Sequence, residues 1–318
     1  MSDLILKADS LSKAFTADAG IFAKSDNLLY AVKDVSFDIE RGQTFGLVGE
    51  SGCGKTTTAR MLVGMYKPTS GSILYYGNDA GVGNGKYARL ENGAYSVTAN
   101  AGGMVANANS VPSNSGGKTF TGNVASNSPR DISTLSKREL KNYREKVKYI
   151  FQDPARSLNP RMEIFSILSS GLKYSGEKLK KDELVFKCAN VLREVGFSED
   201  DLWKKPSEFS GGQRQRISIA RGLIMEPEML ICDEVVSALD VSIQAQILNL
   251  LCDIRKKRNL SMVFITHDLK VACYFCDVIG VMYKGEIVEK ADAETIYKTP
   301  QHDYTKKLFS GAEGIVTK

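Results

Sequence analysis

The chain has 318 residues, of which 42% are hydrophobic and 25% charged, a composition typical of a folded globular protein. Its net charge of +5 is too small to predict nucleic-acid binding without a clustered basic patch. No apolar run approaches the length of a membrane span and no apolar leader follows Met1, so we expect neither a membrane segment nor a secretory signal.

The N-terminal segment, residues 4–39, alternates apolar and polar residues in short runs, which predicts β-strands. Leu28–Val32 and Val35–Ile39 are two of these strands, and Arg41-Gly42 is the turn that follows them. Phe15 lies ahead of them. It could stack on a nucleotide base, but the residue taken alone is more typical of a hydrophobic core.

The strongest motif of the chain comes next. Gln43–Val48 predicts a short buried strand, and the residues after it match the phosphate-binding pattern G-x-x-x-x-G-K-[ST], ahead of a helix from Thr57. Glycines let the backbone approach phosphate closely, and the loop amides with the helix N-terminus attract the anion. Lys55 can reach the β- and γ-phosphates, and the Thr56 hydroxyl can ligate Mg²⁺. The phosphate loop consists of Gly49, Glu50, Ser51, Gly52, Cys53, Gly54, Lys55 and Thr56.

The six cysteines are scattered, and we expect reduced thiols because phosphate-loop chemistry is intracellular. Cys53 lies inside the loop, where Lys55 and the helix N-terminus predict a lowered thiol pKa. Cys273 and Cys276 form a lone CxxC without the second pair that a zinc site needs, so we interpret them as part of a helix face.

From about Asn78 to Arg130 the composition changes to Gly, Asn, Ser and Ala, with no helical period. We interpret this as a low-complexity insertion, linker-like or weakly β, after a strand at Ser72–Tyr76. Regular patterning resumes with a capped helix at Ser136–Lys146, then a strand at Val147–Phe151 that leads to Gln152. Because both flanks belong to the same core, the ends of the insertion should lie close together.

Residues 164–202 are mostly helical by their apolar spacing, and Trp203 is expected in a loop. Ser210, Gly211, Gly212 and Gln213 then precede a strong helical pattern. A hydroxyl residue and two glycines at a helix start can form an anion site, but an ordinary capped helix explains them equally well.

Met229–Cys232 predicts a buried strand that ends at two adjacent carboxylates. Asp233 suits Mg²⁺ binding, and Glu234 suits the orientation and deprotonation of a water. An acidic loop start would explain them without function, but the phosphate loop upstream favours the catalytic interpretation.

A helix is predicted at Val241–Arg258 and a further strand at Ser261–Thr266, which ends at His267. Ligands gather at the carboxyl ends of strands in open α/β sheets, so His267 is a candidate site residue. The second histidine, His302, lies in a polar segment and is expected to be structural.

In this order, these motifs resemble the ATP-binding subunit of an ABC transporter. The similarity covers nearly the whole chain outside the insertion. It is closest at FQDPARSLNPRM (151–162), FSGGQRQRISIAR (209–221), VSALDVSIQAQILNLL (236–251) and PQHDY (300–304). These segments are similar to oligopeptide and dipeptide importer ATPases, and to the F-type partner more than the D-type.

The resemblance implies a role for each motif. Residues Gly49 to Thr56, with Thr57, would bind the triphosphate, and Phe15 would stack on adenine rather than lie in the core. Thr56, Gln152 and Asp233 would serve Mg²⁺, Glu234 would be the catalytic base, and His267 would contact the γ-phosphate. Ser210, Gly211 and Gln213, with Gly212 between them, would bind the γ-phosphate of a nucleotide held by the other subunit, and Asp240 would help join the two halves.

Two departures from the family pattern stand out. Val235 replaces the usual Pro after the Asp-Glu pair, which would loosen the following loop. No Cys follows Cys276, so we expect no iron–sulfur cluster of the kind found near the C-terminus of some relatives.

We therefore predict an α/β P-loop NTPase fold in a single ABC ATPase domain spanning residues 1–318. It would have an N-terminal antiparallel β part, the insertion at 78–130, a helical lobe at 154–221 and a C-terminal tail at 291–318. Its expected function is hydrolysis of ATP with Mg²⁺ to power import of oligopeptides or dipeptides.

The expected partners are a second ATPase subunit of the D-type, two transmembrane permease subunits and, indirectly, a substrate-binding protein. No nucleic acid is expected, and the place of action would be the cytoplasmic face of the cell membrane. Nickel or glutathione importers use nearly the same ATPase, and some close relatives are accessory factors, for example in phosphonate breakdown. DNA-repair ATPases share this head but normally insert coiled coils or zinc modules, which the insertion does not show.

Overall fold

The computed structural model describes residues 3–16, 28–77, 86–89, 95–98, 129–153, 157–176 and 179–313. The chain divides into two compact units, one formed by residues 1–77 and 129–318 and the other by residues 78–128. The strands are β1 (Leu4–Thr16), β2 (Leu28–Glu40), β3 (Thr44–Val48), β4 (Ser70–Tyr75), β5 (Lys86–Arg89), β6 (Tyr95–Thr98), β7 (Arg130–Asp131), β8 (Val147–Ile150), β9 (Met229–Asp233), β10 (Ser261–Thr266), β11 (Val278–Tyr283) and β12 (Glu286–Asp292).

The helices are α1 (Lys55–Leu62), α2 (Lys137–Lys146), α3 (Ile164–Ser175), α4 (Lys181–Glu194), α5 (Gly211–Leu223), α6 (Val241–Arg258), α7 (Leu269–Phe275), α8 (Ala293–Lys298) and α9 (Asp303–Glu313). Short 3-10 turns occur at Ile132–Thr134, Asp200–Trp203 and Pro206–Glu208. The bounds of α6 and β10 are those predicted. Trp203, expected in a loop, ends a 3-10 turn instead, with its ring 5.3 Å from that of Phe165.

The N-terminal strands form the predicted antiparallel part, a four-stranded sheet in the order β2-β1-β4-β7. The two strands expected between Leu28 and Ile39 are one continuous strand, β2. Asp34 has a positive φ of 47°, and the pairing of β2 with β1 shifts register beside it. This irregularity interrupts the alternation of apolar residues, which made one strand look like two.

The second sheet has six strands in the order β12-β11-β3-β10-β9-β8. All neighbours are parallel except β12, which pairs antiparallel at the edge. Every residue of β3, β9 and β10 is buried, as expected for parallel strands covered on both faces. Because β3, β8, β9 and β10 run in the same direction, the segments that follow them meet at one edge of the sheet.

The helical lobe contains α3, α4 and α5, which pack against one another. Its apolar side chains, among them Leu168, Leu192 and Ile219, belong to the same buried cluster as Leu230 and Cys232 of β9. The lobe is therefore continuous with the core beneath the six-stranded sheet. Pro154, where the sequence places its start, lies outside the described residues.

The insertion leaves after β4 and returns at β7, which pair antiparallel with Tyr75 opposite Arg130. Its ends are therefore adjacent, as expected from the sequence. Arg130, assigned to the insertion from composition, is part of the four-stranded sheet. Within residues 78–128, β5 and β6 form an antiparallel pair, and the other residues of the insertion lie outside the described ones. The predicted C-terminal tail begins inside β12 and continues with α8 and α9.

Candidate nucleotide-binding and catalytic site

The phosphate loop connects β3 to α1. Gly54 is the N-cap of α1 and makes no side-chain cap hydrogen bond, so the first turn of this helix is not closed by a protein side chain. A Cβ at Gly54, which has a φ of 112°, would lie 2.3 Å from the carbonyl oxygen of Ala31. A Cβ at Gly52 would meet nothing within 4 Å. The loop thus keeps an open backbone surface at a helix start, where the dipole and the amides favour an anion.

Lys55 lies within this loop and is only 4% exposed. Its ammonium donates hydrogen bonds to the carbonyl oxygens of Gly49 at 2.6 Å and Glu50 at 2.9 Å. The positive charge is therefore held at the centre of the loop by backbone acceptors, which fits the binding of a triphosphate.

The expectation that Cys53 has a lowered thiol pKa is wrong. Cys53 is 7% exposed, and burial raises its thiol pKa despite the nearby charge of Lys55 and hydrogen bonds that oppose the shift. Loss of water around the thiolate outweighs the attraction of one ammonium 3.8 Å away. The residue is a packed thiol and not an activated one.

Asp233 stands at the end of β9, beside the first residues of α1. One carboxylate oxygen accepts a hydrogen bond from the Thr56 hydroxyl at 3.2 Å, and the other accepts one from the Tyr149 hydroxyl. Asp233 is 4% exposed, and burial raises its pKa while these two hydrogen bonds oppose the rise. The structure thus joins two of the three residues expected at a magnesium ion, Thr56 and Asp233, with oxygen atoms of the kind that Mg²⁺ prefers. The third, Gln152, is hydrogen-bonded to Glu234 instead.

Tyr149 was not predicted as a site residue. It lies on β8, 84 residues before Asp233 in the chain. Its ring packs 4.8 Å from that of Phe151. An aromatic residue inside an apolar strand carries no local signal of such a contact.

Glu234 lies between Gln152 and His267. The Gln152 side-chain amide donates to one Glu234 oxygen at 2.7 Å, and His267 Nδ1 is 3.9 Å from the other. Glu234 has a positive φ of 49°, and its amide donates to the carbonyl oxygen of Ile265 at 3.0 Å. Three sequence candidates from separate segments therefore meet at one carboxylate, at the carboxyl edge of the sheet.

Val235, the departure from the family pattern, is 2% exposed and packs in the core. The turn after it is closed by Ser237, whose amide and hydroxyl both donate to the carbonyl oxygen of Glu234, at 3.2 Å and 2.9 Å. These contacts hold the loop in which loosening was expected.

Two separate clefts are lined by residues that the sequence predicts for the site. One, of about 590 Å³, is lined by Thr56, Gln152 and Asp233 and by Arg221 and Met225 of the helical lobe. The other, of about 440 Å³, is lined by residues between Gly196 and Gln246, including Ser210, Gly212 and Gln213. Within the described residues, no phosphate-loop residue lines this second cleft.

The hydrogen bonds of Ser210 and Gln213 are local. Ser210 is the N-cap of α5; its hydroxyl accepts from the Gln213 amide N–H at 3.3 Å, and the Gln213 side chain accepts from the Ser210 N–H at 2.9 Å. Gly212 lies against Ile243 of α6, and Asp240 caps that helix by accepting from the Ile243 amide at 3.0 Å. The capped-helix interpretation therefore holds within the single chain, and Gly211 is simply the first residue of α5.

Phe15 is 37% exposed, so it is not a core residue. Its ring lies edge-on to Tyr66 at 5.7 Å, and the Lys13 ammonium is 5.3 Å from its centre. Part of one aromatic surface is therefore left for a further partner.

Known proteins show the family to which this fold belongs. The family described as "ABC transporter" matches residues 32–103 and 113–237, which is more than half of the chain. The chain belongs to the ABC transporter family. It is an ATP-binding subunit of this family and hydrolyses ATP.

Among its relatives, the "Oligopeptide transport ATP-binding protein OppF" of Bacillus subtilis is 37% identical over 98% of this chain and 83% of its own length. The "Dipeptide transport ATP-binding protein DppF" of Lactococcus lactis is 40% identical over 88% of this chain and 74% of its own. A "Probable peptide ABC transporter ATP-binding protein" of Sinorhizobium fredii is 36% identical over 98% of this chain and 73% of its own.

Solved structures support the same fold. The cbiO1 subunit of Clostridium perfringens, part of an ABC transporter complex, has a TM-score of 0.67 and 24% identity over 99% of this ABC chain and 96% of its own. The ATP-binding cassette MJ0796, solved as a dimer bound to ADP and Pi, has a TM-score of 0.64 and 22% identity over 91% and 99%. In the part of the chain that the structure describes, no helix is both long and apolar enough to cross a bilayer.

Proposed function

We propose that this ABC ATPase powers the import of oligopeptides or dipeptides through a separate membrane permease. The relatives above carry peptide-transport names and align with most of the chain. A subunit of this kind works with permease proteins. We further propose a heterodimer with a D-type ATPase partner and an indirect link to a substrate-binding protein, at the cytoplasmic face of the membrane.

The observation that carries the catalytic proposal is the meeting of Gln152, Glu234 and His267 beside the phosphate loop. Glu234 would orient and deprotonate the attacking water. Gln152 would couple that water to the metal, and His267 would contact the γ-phosphate. The hydrogen bond from Gln152 to Glu234 and the 3.9 Å distance between His267 and Glu234 support these roles.

Mg²⁺ would be held by the Thr56 hydroxyl and supported by Asp233, with Gln152 nearby. When bound with ATP, the ion would neutralise charge on the β- and γ-phosphates. The Thr56 hydroxyl donates a hydrogen bond to Asp233, and metal binding would require that contact to rearrange. The loop residues Gly49 to Thr56, with Thr57, would bind the triphosphate, and the exposed face of Phe15 would stack on adenine.

The Ser210–Gln213 segment would bind the γ-phosphate of a nucleotide held by the partner ATPase. The separation of the two clefts supports this assignment. Within the described residues, the cleft beside Ser210 is lined by the helical lobe and α6 and not by the phosphate loop. Asp240 caps α6, whose residues Ile243 and Gln246 line that cleft, and it would lie at the junction of the two ATPases.

The test is purification of the tagged full-length chain from membranes in detergent, followed by reconstitution. We expect a second ATPase and two polytopic proteins to co-purify, and the complex to take up peptide when ATP is enclosed on the ATPase side. A complex carrying Glu234→Gln should assemble but not transport. Recovery of the chain with soluble enzymes and without polytopic proteins would overturn the importer proposal.

A further inference from the structure

The C-terminal segment contacts the phosphate loop through one tyrosine. The backbone N–H of Glu50, the second residue of the loop, donates a hydrogen bond of 3.1 Å to the hydroxyl oxygen of Tyr304. The two residues are 254 positions apart in the chain. Since this amide already has a protein partner, Glu50 differs from the open part of the loop around Gly52.

Tyr304 is held independently of the loop. It is 9% exposed, and its ring packs against that of Tyr283, at the end of β11, with centres 4.2 Å apart. Its backbone N–H donates to His302 Nδ1 at 3.1 Å. The Glu289 carboxylate of β12 in turn accepts from the amides of Gln301 at 2.7 Å and His302 at 3.0 Å. Contacts with β11 and β12 therefore fix the position of the Tyr304 hydroxyl beside the loop.

The loop has a second backbone support from the same side. The N–H of Gly285, in the turn between β11 and β12, donates to the carbonyl oxygen of Cys53 at 3.0 Å. Gly285 is itself tied to β2, because its carbonyl accepts from the Lys33 amide at 2.8 Å. The loop is thus anchored at Glu50 and at Cys53, on either side of the exposed residues Ser51 and Gly52.

We propose that Tyr304 is a positioning residue for the phosphate loop, through which the C-terminal segment sets nucleotide affinity without touching the nucleotide. The proposal rests on the function proposed above for the loop. The Tyr304 hydroxyl fixes the Glu50 peptide, so the loop amides keep a phosphate-binding arrangement before ATP binds. An arranged loop loses less conformational entropy on binding, and affinity is higher for that reason. Burial raises the pKa of Tyr304, so the hydroxyl stays protonated near neutral pH.

The experiment compares Tyr304→Phe with the parent chain, both in the assembled complex. Phenylalanine keeps the ring that packs on Tyr283 and removes only the acceptor for Glu50. We expect the KM for Mg-ATP to rise about two- to tenfold, which corresponds to the free energy of one neutral hydrogen bond. The kcat should stay within about twofold, because no reacting group changes. Hydrogen exchange of the Glu50 amide should accelerate in the nucleotide-free protein.

Two variants sharpen the test. Tyr297→Phe, on α8, alters a tyrosine that is 61% exposed and should change neither KM nor amide exchange. His302→Ala removes the acceptor that holds the Tyr304 backbone and should raise KM in the same direction as Tyr304→Phe. Unchanged KM and unchanged Glu50 exchange in Tyr304→Phe would overturn the proposal, as would a fall in kcat with KM unaffected. If the parent chain itself binds no ATP, the proposed function fails instead, so the two failures are distinguishable.

Discussion

Two glycine-containing turns lead into helices in this ABC ATPase, and their N-terminal caps differ. At α1 the cap is Gly54, which has no side chain to accept a hydrogen bond from the first turn. At α5 the cap is Ser210, which forms a reciprocal capping box with Gln213. Both sequences place glycine and polar residues ahead of a helix, so composition alone does not separate them.

The difference indicates how each helix start would bind phosphate. An uncapped start leaves amide donors that an anion can satisfy, so one chain can build that site alone. A capping box satisfies its own donors, and the phosphate must replace those internal contacts or bind beside them. The second start is therefore stable without nucleotide and suits a phosphate presented by a partner.

The largest expected effect comes from Glu234→Gln, which removes the proposed base but keeps the shape of the side chain. We expect turnover to fall by about 10²-fold or more, while ATP still binds. If the start of α5 binds nucleotide from a partner, the mutant should accumulate as an ATP-bound dimer, detected by size-exclusion chromatography with and without Mg-ATP. Glu286→Gln, an exposed carboxylate on β12, is the control. Near-normal turnover with the partner subunits present would contradict the assignment.

The second prediction separates capping from phosphate binding. Ser210→Ala and Ser136→Ala each remove the serine of a capping box, since Ser136 forms one with Glu139 at α2. Each should lower the free energy of unfolding by about 0.5–2 kcal/mol. Only Ser210→Ala should also lower turnover, by about tenfold or more, because a hydrogen bond to a charged group contributes about 1.5–3 kcal/mol. Denaturant unfolding and ATPase rates in the assembled complex measure both.

If the two variants lose equal stability and both keep full turnover, the start of α5 is a structural cap and nothing more. That result would leave the comparison between the two helix starts purely geometric.

The parts of the fold that the sequence predicts well have local signals. The bounds of α6 follow from Asp240, which caps its first turn, and from Asn259, which ends it with a φ of 48°. The grouping of Gln152, Glu234 and His267 follows from strand direction, because residues after parallel strands reach the same edge of the sheet.

The parts that the sequence does not predict depend on long-range contacts. Nothing near Tyr149 or Tyr304 indicates that each hydroxyl meets a site residue 84 or 254 positions away. The pKa of Cys53 was predicted with the wrong sign because the sequence shows its charged neighbour but not its burial. In each case the contact or the burial that decides the outcome arises from packing between distant segments of the chain.

The third prediction concerns Tyr149, which shares Asp233 as a hydrogen-bond acceptor with Thr56 at the uncapped start of α1. Tyr149→Phe removes one of the two hydrogen bonds that orient Asp233, so the Mg²⁺ concentration giving half-maximal turnover should rise about two- to tenfold. Saturating Mg²⁺ should restore most of the rate. The control is Tyr174→Phe, because Tyr174 is 73% exposed on α3. An unchanged Mg²⁺ requirement would show that the Tyr149 hydrogen bond is not needed to orient Asp233.

The smallest effect is expected from removal of the insertion, which should leave both helix starts intact. Asp79–Pro129 would be replaced by a short Gly/Ser linker, and this is feasible because Tyr75 and Arg130 are paired opposite each other. The cost of loop closure changes by about 0.6 kcal/mol for each doubling of length, so the shorter loop should stabilise the ATPase unit by at most about 2 kcal/mol. A Gly/Asn/Ser composition offers little apolar area for burial, so we expect little packing to be lost. A change of 1 kcal/mol in the free energy of unfolding shifts the melting temperature of a domain of 150–250 residues by about 2–4 °C. We therefore expect the melting temperature to stay within a few degrees of the parent's. The ATPase rate should stay within about twofold. A large fall in melting temperature, with the β4–β7 pairing retained in the variant's structure, would mean that the segment stabilises the ATPase unit and that its composition was misinterpreted.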